Sequence, residues 1–229
     1  MQSAVTLVLD SSASPLTVAV EKDGRIYTGR KNGIKQEKLL FPLLQKVLGK
    51  IPAQLRDVKQ IFIIRGPGRF TGIRIALTFA SMMQYLNKAT VKGATVFEVV
   101  ARQVQARRYF KEWKKQHPTG VLAVVLHAFR EEYFLQFFDD HNKGPQWLSR
   151  EELLAQLKAY PAPLLVAGSD KDFTSLTDLL GKKYTLADDK DGRVQPRTLL
   201  ALCREEKYAQ NALEPLYLKP ARFELVQPK

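Results

Sequence analysis

Residues 65–77 read RGPGRFTGIRIAL, three glycines and a proline between the apolar run Ile61-Phe62-Ile63-Ile64 and a stretch with helical spacing. The segment is therefore a strand-to-helix turn. Such a turn faces backbone N–H groups outward at the positive end of a helix dipole, with Arg65, Arg69 and Arg74 close in sequence. Gly66, Gly68, Thr71 and Gly72 form a candidate anion loop, and whether a nucleotide occupies it stays open. A Walker A loop is excluded, because Gly72 is followed by Ile73-Arg74 where Lys and Ser or Thr are needed. A dinucleotide fingerprint is a weak match, because Thr71 stands where the third glycine belongs and no Asp or Glu lies about 20 residues beyond to take a ribose hydroxyl. The competing reading is that the glycines only allow an awkward turn and close packing.

Residues 4–10, AVTLVLD, form a buried strand ending in Asp10, and SSASP makes a turn. Two extended runs then flank Asp23-Gly24, which supplies the positive φ angles of a tight hairpin. LLFPLLQKVLGKI carries Leu40, Leu43, Leu44, Val47 and Leu48 at helical spacing, which predicts a helix over 38–49 with Pro42 in its first turn. VKQIFIIRG is a strand buried on both faces. A second helix runs from about Thr71 to Asn87, a short strand lies near ATVKGA, and residues 95–116 form one long helix with strongly basic later turns. Beyond His117-Pro118 the pattern starts again. VLAVVLHAFREEYFLQFFDD is a strand, a turn at Arg130-Glu131 and a returning strand; SREELLAQLKAY is a helix whose Ser149 and Glu152 fit a capping box. PLLVAGSDKDF is a strand into a glycine turn, and PRTLLALCREEKYA is a last helix. The expectation is an α/β fold of two related lobes with mixed sheets, divided as 1–116 and 117–229.

Composition excludes several classes. With 45% hydrophobic and 26% charged residues the chain can bury a core, and no apolar run reaches the roughly 20 residues that cross a bilayer. Met1-Gln2-Ser3 leads into no signal-peptide pattern, so a cytoplasmic protein is expected. The single cysteine, Cys203, allows no internal disulfide and reads as a small buried residue on a helix. The histidines 117, 127 and 141 lack the i, i+4 spacing of a helical metal pair, so no metal site and no cofactor are expected. Asp10-Ser11-Ser12 reads as a satisfied turn, and Asp139-Asp140 and Asp188-Asp189 as solvated loops. Ser81, Ser149 and Cys203 have no recognisable base partner, so no catalytic residue is assigned. The net charge of +13 attracts polyanions or acidic surfaces.

The loop closely resembles the RGPGSFTGLRIG signature of the bacterial tRNA threonylcarbamoyladenosine biosynthesis family TsaB (YeaZ). LVLDSSASPLTVAV resembles that family's opening strands and LLFPLLQKVL its first helix. LHAFREEYF is similar to its IDARMGEVY, and EPLYLKP to its closing EPVYLR. Arg69 replaces the family's Ser, Ala76 its Gly and His127 its Asp. The resemblance implies the actin-like ATPase (ribonuclease H-like) fold and a non-catalytic subunit. Such a subunit docks to and activates TsaD, the threonylcarbamoyl transferase acting on the adenosine next to the anticodon, in an assembly completed by TsaE. It also implies that the first two helices of the first lobe meet the same helices of TsaD, or of a second copy in a homodimer.

Leu39, Leu40, Leu43, Leu44, Val47, Ile73, Ala76, Phe79, Ala80 and Met83 are the expected interface, since apolar positions wrap more than half of the first helix and Phe79, Met82 and Met83 broaden the second. A helix pair packed within its own lobe is the competing reading. Arg107, Arg108, Lys111, Lys114 and Lys115 on the basic helix are candidate tRNA contacts, against a solvated basic face or a patch for an acidic partner. A stand-alone tRNA-binding module and an actin-like small-molecule kinase remain alternatives.

Overall fold

The computed structural model describes residues 4–139, 144–169 and 176–219. The described residues of Met1–Val96 with Val194–Leu216 form one compact unit, and those of Phe97–Arg193 with Tyr217–Lys229 form another. Each is built on one five-stranded sheet.

In the first unit, strands β1 (Val5–Asp10), β2 (Leu16–Lys22) and β3 (Arg25–Lys31) form an antiparallel meander. Asp23 (φ 51°) and Gly24 (φ 72°) make its second turn, as the dipeptide predicts. Helix α1 (Gln36–Leu48) leads to β4 (Val58–Ile64), which pairs parallel with β1. Helix α2 (Phe70–Asn87) leads to β5 (Thr90–Ala94), parallel to β4, and the strand order is β3-β2-β1-β4-β5. Ile61, Phe62, Ile63 and Ile64 are all inaccessible to solvent, the double-faced burial expected of a central parallel strand. Both helices pack on one face of the sheet, where Leu40, Leu44, Val47, Phe79 and Met83 meet Leu7, Val18, Ile61 and Ile63 in a single core.

The second unit repeats this plan. Strands β6 (Val121–Phe129), β7 (Glu132–Phe138) and β8 (Gln146–Ser149) form the meander, helix α5 (Arg150–Ala159) leads to β9 (Leu164–Ser169), and helix α6 (Thr177–Leu180) precedes β10 (Thr185–Leu186). The order β8-β7-β6-β9-β10 carries the same antiparallel and parallel pairings as the first sheet. Ser149 caps α5 by accepting from the Glu152 N–H at 3.2 Å, while the Glu152 carboxylate accepts from the Ser149 N–H at 2.8 Å.

Three local expectations are corrected. Helix α1 begins two residues early, so Pro42 lies in its interior; it forgoes the bond to the Lys38 carbonyl, and both residues face solvent. The last helix is shorter: α7 (Pro196–Leu202) ends before Cys203, and Glu206–Ala209 is a separate 3-10 turn. The long basic helix is broken into α3 (Val96–Gln105) and α4 (Arg108–Gln116), with Arg107 extended between them. Tertiary bonds fix the break. The Arg107 Nε donates to both Asp191 carboxylate oxygens at 3.0 Å, the Tyr109 hydroxyl donates to the same carboxylate at 3.1 Å, and Gln103 Nε2 donates to the Asp191 and Arg193 carbonyls at 2.8 Å.

Candidate functional site

The glycine loop is held by backbone contacts. Gly66 has φ +127°, a conformation that side chains rarely adopt, and a Cβ there would stand 2.5 Å from the Leu216 carbonyl oxygen. A Cβ on Gly68 would strike the Ser12 carbonyl, and one on Gly72 the Ser11 carbonyl. The Arg69 N–H donates to the Ser12 carbonyl at 2.7 Å, and the Ser11 hydroxyl donates to the Gly72 carbonyl at 2.8 Å. The turn after β1 and the turn before α2 thus close on each other, and the glycines are what let the two backbones approach. Thr71 is exposed on the first turn of α2.

Asp10 belongs to the same closure. It is 7% exposed, and its carboxylate accepts from the Ser12 N–H at 3.0 Å and the Ser12 hydroxyl at 2.6 Å. Burial pushes its pKa up, partly offset by those two bonds and by the Arg30 charge.

The structure corrects the residue assignment on the two helices. Nine of the ten expected interface residues, all but half-buried Leu39, are buried within the chain itself. Leu43, Leu44, Val47, Ala76, Ala80 and Met83 face the sheet core. The apolar surface left outside is a groove between α1 and α2 of about 410 Å³. Leu40 and Phe79 line its floor, Phe41, Phe70, Ile75 and Met82 its walls, and Glu37, Thr71, Arg74 and Thr78 complete it. Phe41 remains 48% and Phe70 56% exposed. The Phe41 ring meets Phe79 edge-on at 6.2 Å, and the Arg74 guanidinium covers Phe70 at 5.2 Å. Tyr85 and Leu86 extend the exposed apolar surface along α2. Phe41 and Phe70 were hidden from periodicity because one sits off the leucine face and the other opens a helix expected to start at Thr71.

The basic residues near α4 are largely engaged within the chain. Arg107 pairs with buried Asp191, Arg108 pairs with Glu112 at 2.6 Å, and the Lys114 ammonium donates to the Gly120 carbonyl at 2.5 Å. Lys111 and Lys115 are exposed. His127 contacts the Arg130 carbonyl at 2.8 Å through its Nε2, and Ala76 is fully buried. Asp139 is paired with the Tyr160 hydroxyl, Asp188 binds Lys190, and Asp140 and His141 lie outside the described residues. Cys203 is 2% exposed, and burial raises its thiol to about 11. Among the described residues no group of three or more His, Cys, Asp or Glu is placed to hold a metal, and no helix is long and apolar enough to cross a membrane.

The sequence model of the TsaD family, tRNA N6-adenosine threonylcarbamoyltransferase, matches residues 35–131, a span that takes in α1 and α2. The chain is 27% identical to the tRNA threonylcarbamoyladenosine biosynthesis protein TsaB of Buchnera aphidicola subsp. Schizaphis graminum, over 59% of this chain and 61% of that protein. It is 21% identical to the TsaB of Buchnera aphidicola subsp. Acyrthosiphon pisum, over 92% of this chain and 86% of the relative. It is also 21% identical to the TsaB of Bacillus subtilis, over 95% of each. Among solved structures, YeaZ from Pseudomonas aeruginosa superposes with a TM-score of 0.65 at 20% identity, covering 94% of this chain and 100% of that one. The fold is that of YeaZ, an α/β architecture of two mixed sheets of related plan.

Proposed function

From the premise that this chain is a relative of the TsaB (YeaZ) proteins, we propose that it is a non-catalytic subunit of tRNA threonylcarbamoyladenosine synthesis. It docks to TsaD through the groove between α1 and α2, holds TsaD in its competent conformation, and works alongside TsaE. The observation that carries this reading is the groove itself, an apolar concavity walled by Phe41, Phe70, Ile75 and Met82 on helices whose other faces already cover their own sheet. A large exposed apolar patch rimmed by polar groups marks a place of association. The TsaD family model spans the same two helices, which supports an equivalent helix pair in TsaD and a four-helix packing between the two proteins. Without TsaD the same surface pairs two copies of the chain. Methionine in the wall suits a contact that adapts to either occupant.

Docking activates TsaD only if the groove fits one conformation of it better than another. The test is reconstitution of threonylcarbamoyladenosine formation on transcribed tRNA with purified TsaD and TsaE. Product is expected only when this chain is added, and the chain alone is expected to turn over neither ATP nor tRNA. Full activity without the chain, or modification by the chain alone, overturns the reading.

A further inference from the structure

The charge surplus is not shared evenly. The sequence ranges of the first unit hold 18 Lys and Arg against 8 Asp and Glu, a net +10, whereas those of the second hold 18 against 15, a net +3. Within the first unit the surplus is densest at β3. Between Asp23 and Glu37 the chain carries Arg25, Arg30, Lys31 and Lys35 and no acidic residue, and Lys38 follows in the first turn of α1.

Among the described residues β3 is the edge of its sheet and pairs only with β2. Arg25, Arg30, Lys31, Lys35 and Lys38 are all exposed, and none forms an ion pair among the described residues. Arg25 and Lys31, ~20 Å apart, lie on the face of β3 that α1 covers, the side of Tyr27 and Gly29, and Lys35 and Lys38 follow at the start of that helix; Arg30 lies on the opposite face, in register with Thr17 and Asp10. Near α4, Arg107 and Arg108 already meet carboxylates and Lys114 a backbone carbonyl, which leaves Lys111 and Lys115 exposed there.

Cations on an edge strand also deter stray strand pairing, but that duty ends with the strand and gives no reason for Lys35 and Lys38 beyond it. A cluster of four exposed cations on one side of the sheet, Arg25, Lys31, Lys35 and Lys38, with a guanidinium suited to bidentate phosphate contacts, complements a sugar-phosphate backbone. We propose that the β3 edge and the start of α1 bind the phosphate backbone of tRNA, and that α4 does not. The proposal rests on the tRNA-modification reading above and names the surface that meets the substrate.

The experiment measures filter binding of transcribed tRNA to the full chain over a range of salt concentrations. Each lost phosphate contact flattens the log K against log salt slope by ~0.7 for single strands and ~0.9 for duplex. The R25Q/K31Q/K35Q variant is expected to flatten it by about 2–3, and K31Q and K35Q singly by about 0.7–0.9 each, which keeps the test valid if the triple variant does not fold. K111Q/K115Q is expected to leave the slope unchanged. All of these variants are expected to retain TsaD binding, so failure here is distinguishable from failure of the docking reading. An unmoved slope in K31Q and in K35Q overturns the proposal. So does loss of TsaD binding with tRNA binding intact, which assigns the cluster to an acidic protein. Aggregation with an unmoved slope also overturns it and leaves edge protection as the role.

Discussion

Replacing Gly72 by alanine separates close packing from ligand binding as the reason for the glycine loop. The new Cβ falls on the Ser11 carbonyl oxygen, with the carbonyl carbon at 3.0 Å and the Gln36 Oε1 at 3.1 Å. Both Ser11 atoms are backbone, and Ser11 is held in place because its hydroxyl donates to the Gly72 carbonyl at 2.8 Å. Neither side can yield by rotating a side chain, so the two turns must part. Overpacking of this kind costs ~1–3 kcal/mol, and weakening the buried Ser11 bond adds ~1 kcal/mol. For a chain of this size ~3 kcal/mol lowers Tm by roughly 6–12 °C. Gly24→Ala is the control: its φ of +72° strains alanine by ~1 kcal/mol, but nothing stands within 4 Å of the new Cβ. Differential scanning calorimetry of both variants should show the Gly72 loss exceeding the Gly24 loss about threefold. Equal, small losses, together with a phosphate affinity that only Gly72→Ala abolishes, would refute the packing argument.

Asp10→Asn keeps an acceptor for both Ser12 bonds and removes a carboxyl whose pKa burial has raised. A raised acid contributes less stability as pH climbs through its folded pKa, so the variant should gain on the wild type above that pH and match it more closely at lower pH in urea titrations. The Cys203 thiol, at about 11, should resist disulfide reagents at pH 8 in the native state and react fully in urea. Asp191→Asn should lower stability by ~1–2 kcal/mol in chemical denaturation, less than a wholly buried pair would, because the Arg107 side chain is 45% exposed.

What the sequence made readable was chemistry confined to a few neighbouring residues. Asp23-Gly24 sets its turn through φ, Ser149 and Glu152 cap α5 within four residues, and Ile61–Ile64 can only be a buried strand. The break between α3 and α4 is a different matter, because it depends on Asp191, more than eighty residues away. Strands as short as Gln146–Ser149 and Thr185–Leu186 carry too few residues to show a period. The groove was half readable. Apolar positions covering most of α1 announced a second buried face, but periodicity does not say which side meets the sheet. The leucines took the sheet, and Phe41 and Phe70 were left outside. Leu43→Glu or Met83→Glu would therefore bury a charge in the core and unfold the unit, so neither variant probes docking.

In the proposed assembly the groove's outer wall, and not the leucine face, binds TsaD. Isothermal titration of TsaD with Phe70→Glu and with Phe41→Glu tests it directly, with Tm measured on the same samples. Each substitution should weaken binding about 30- to 100-fold, corresponding to ~2–3 kcal/mol at an interface centre, while Tm stays within about 2 °C of wild type. Wild-type affinity for TsaD with a charge in the wall would contradict the account.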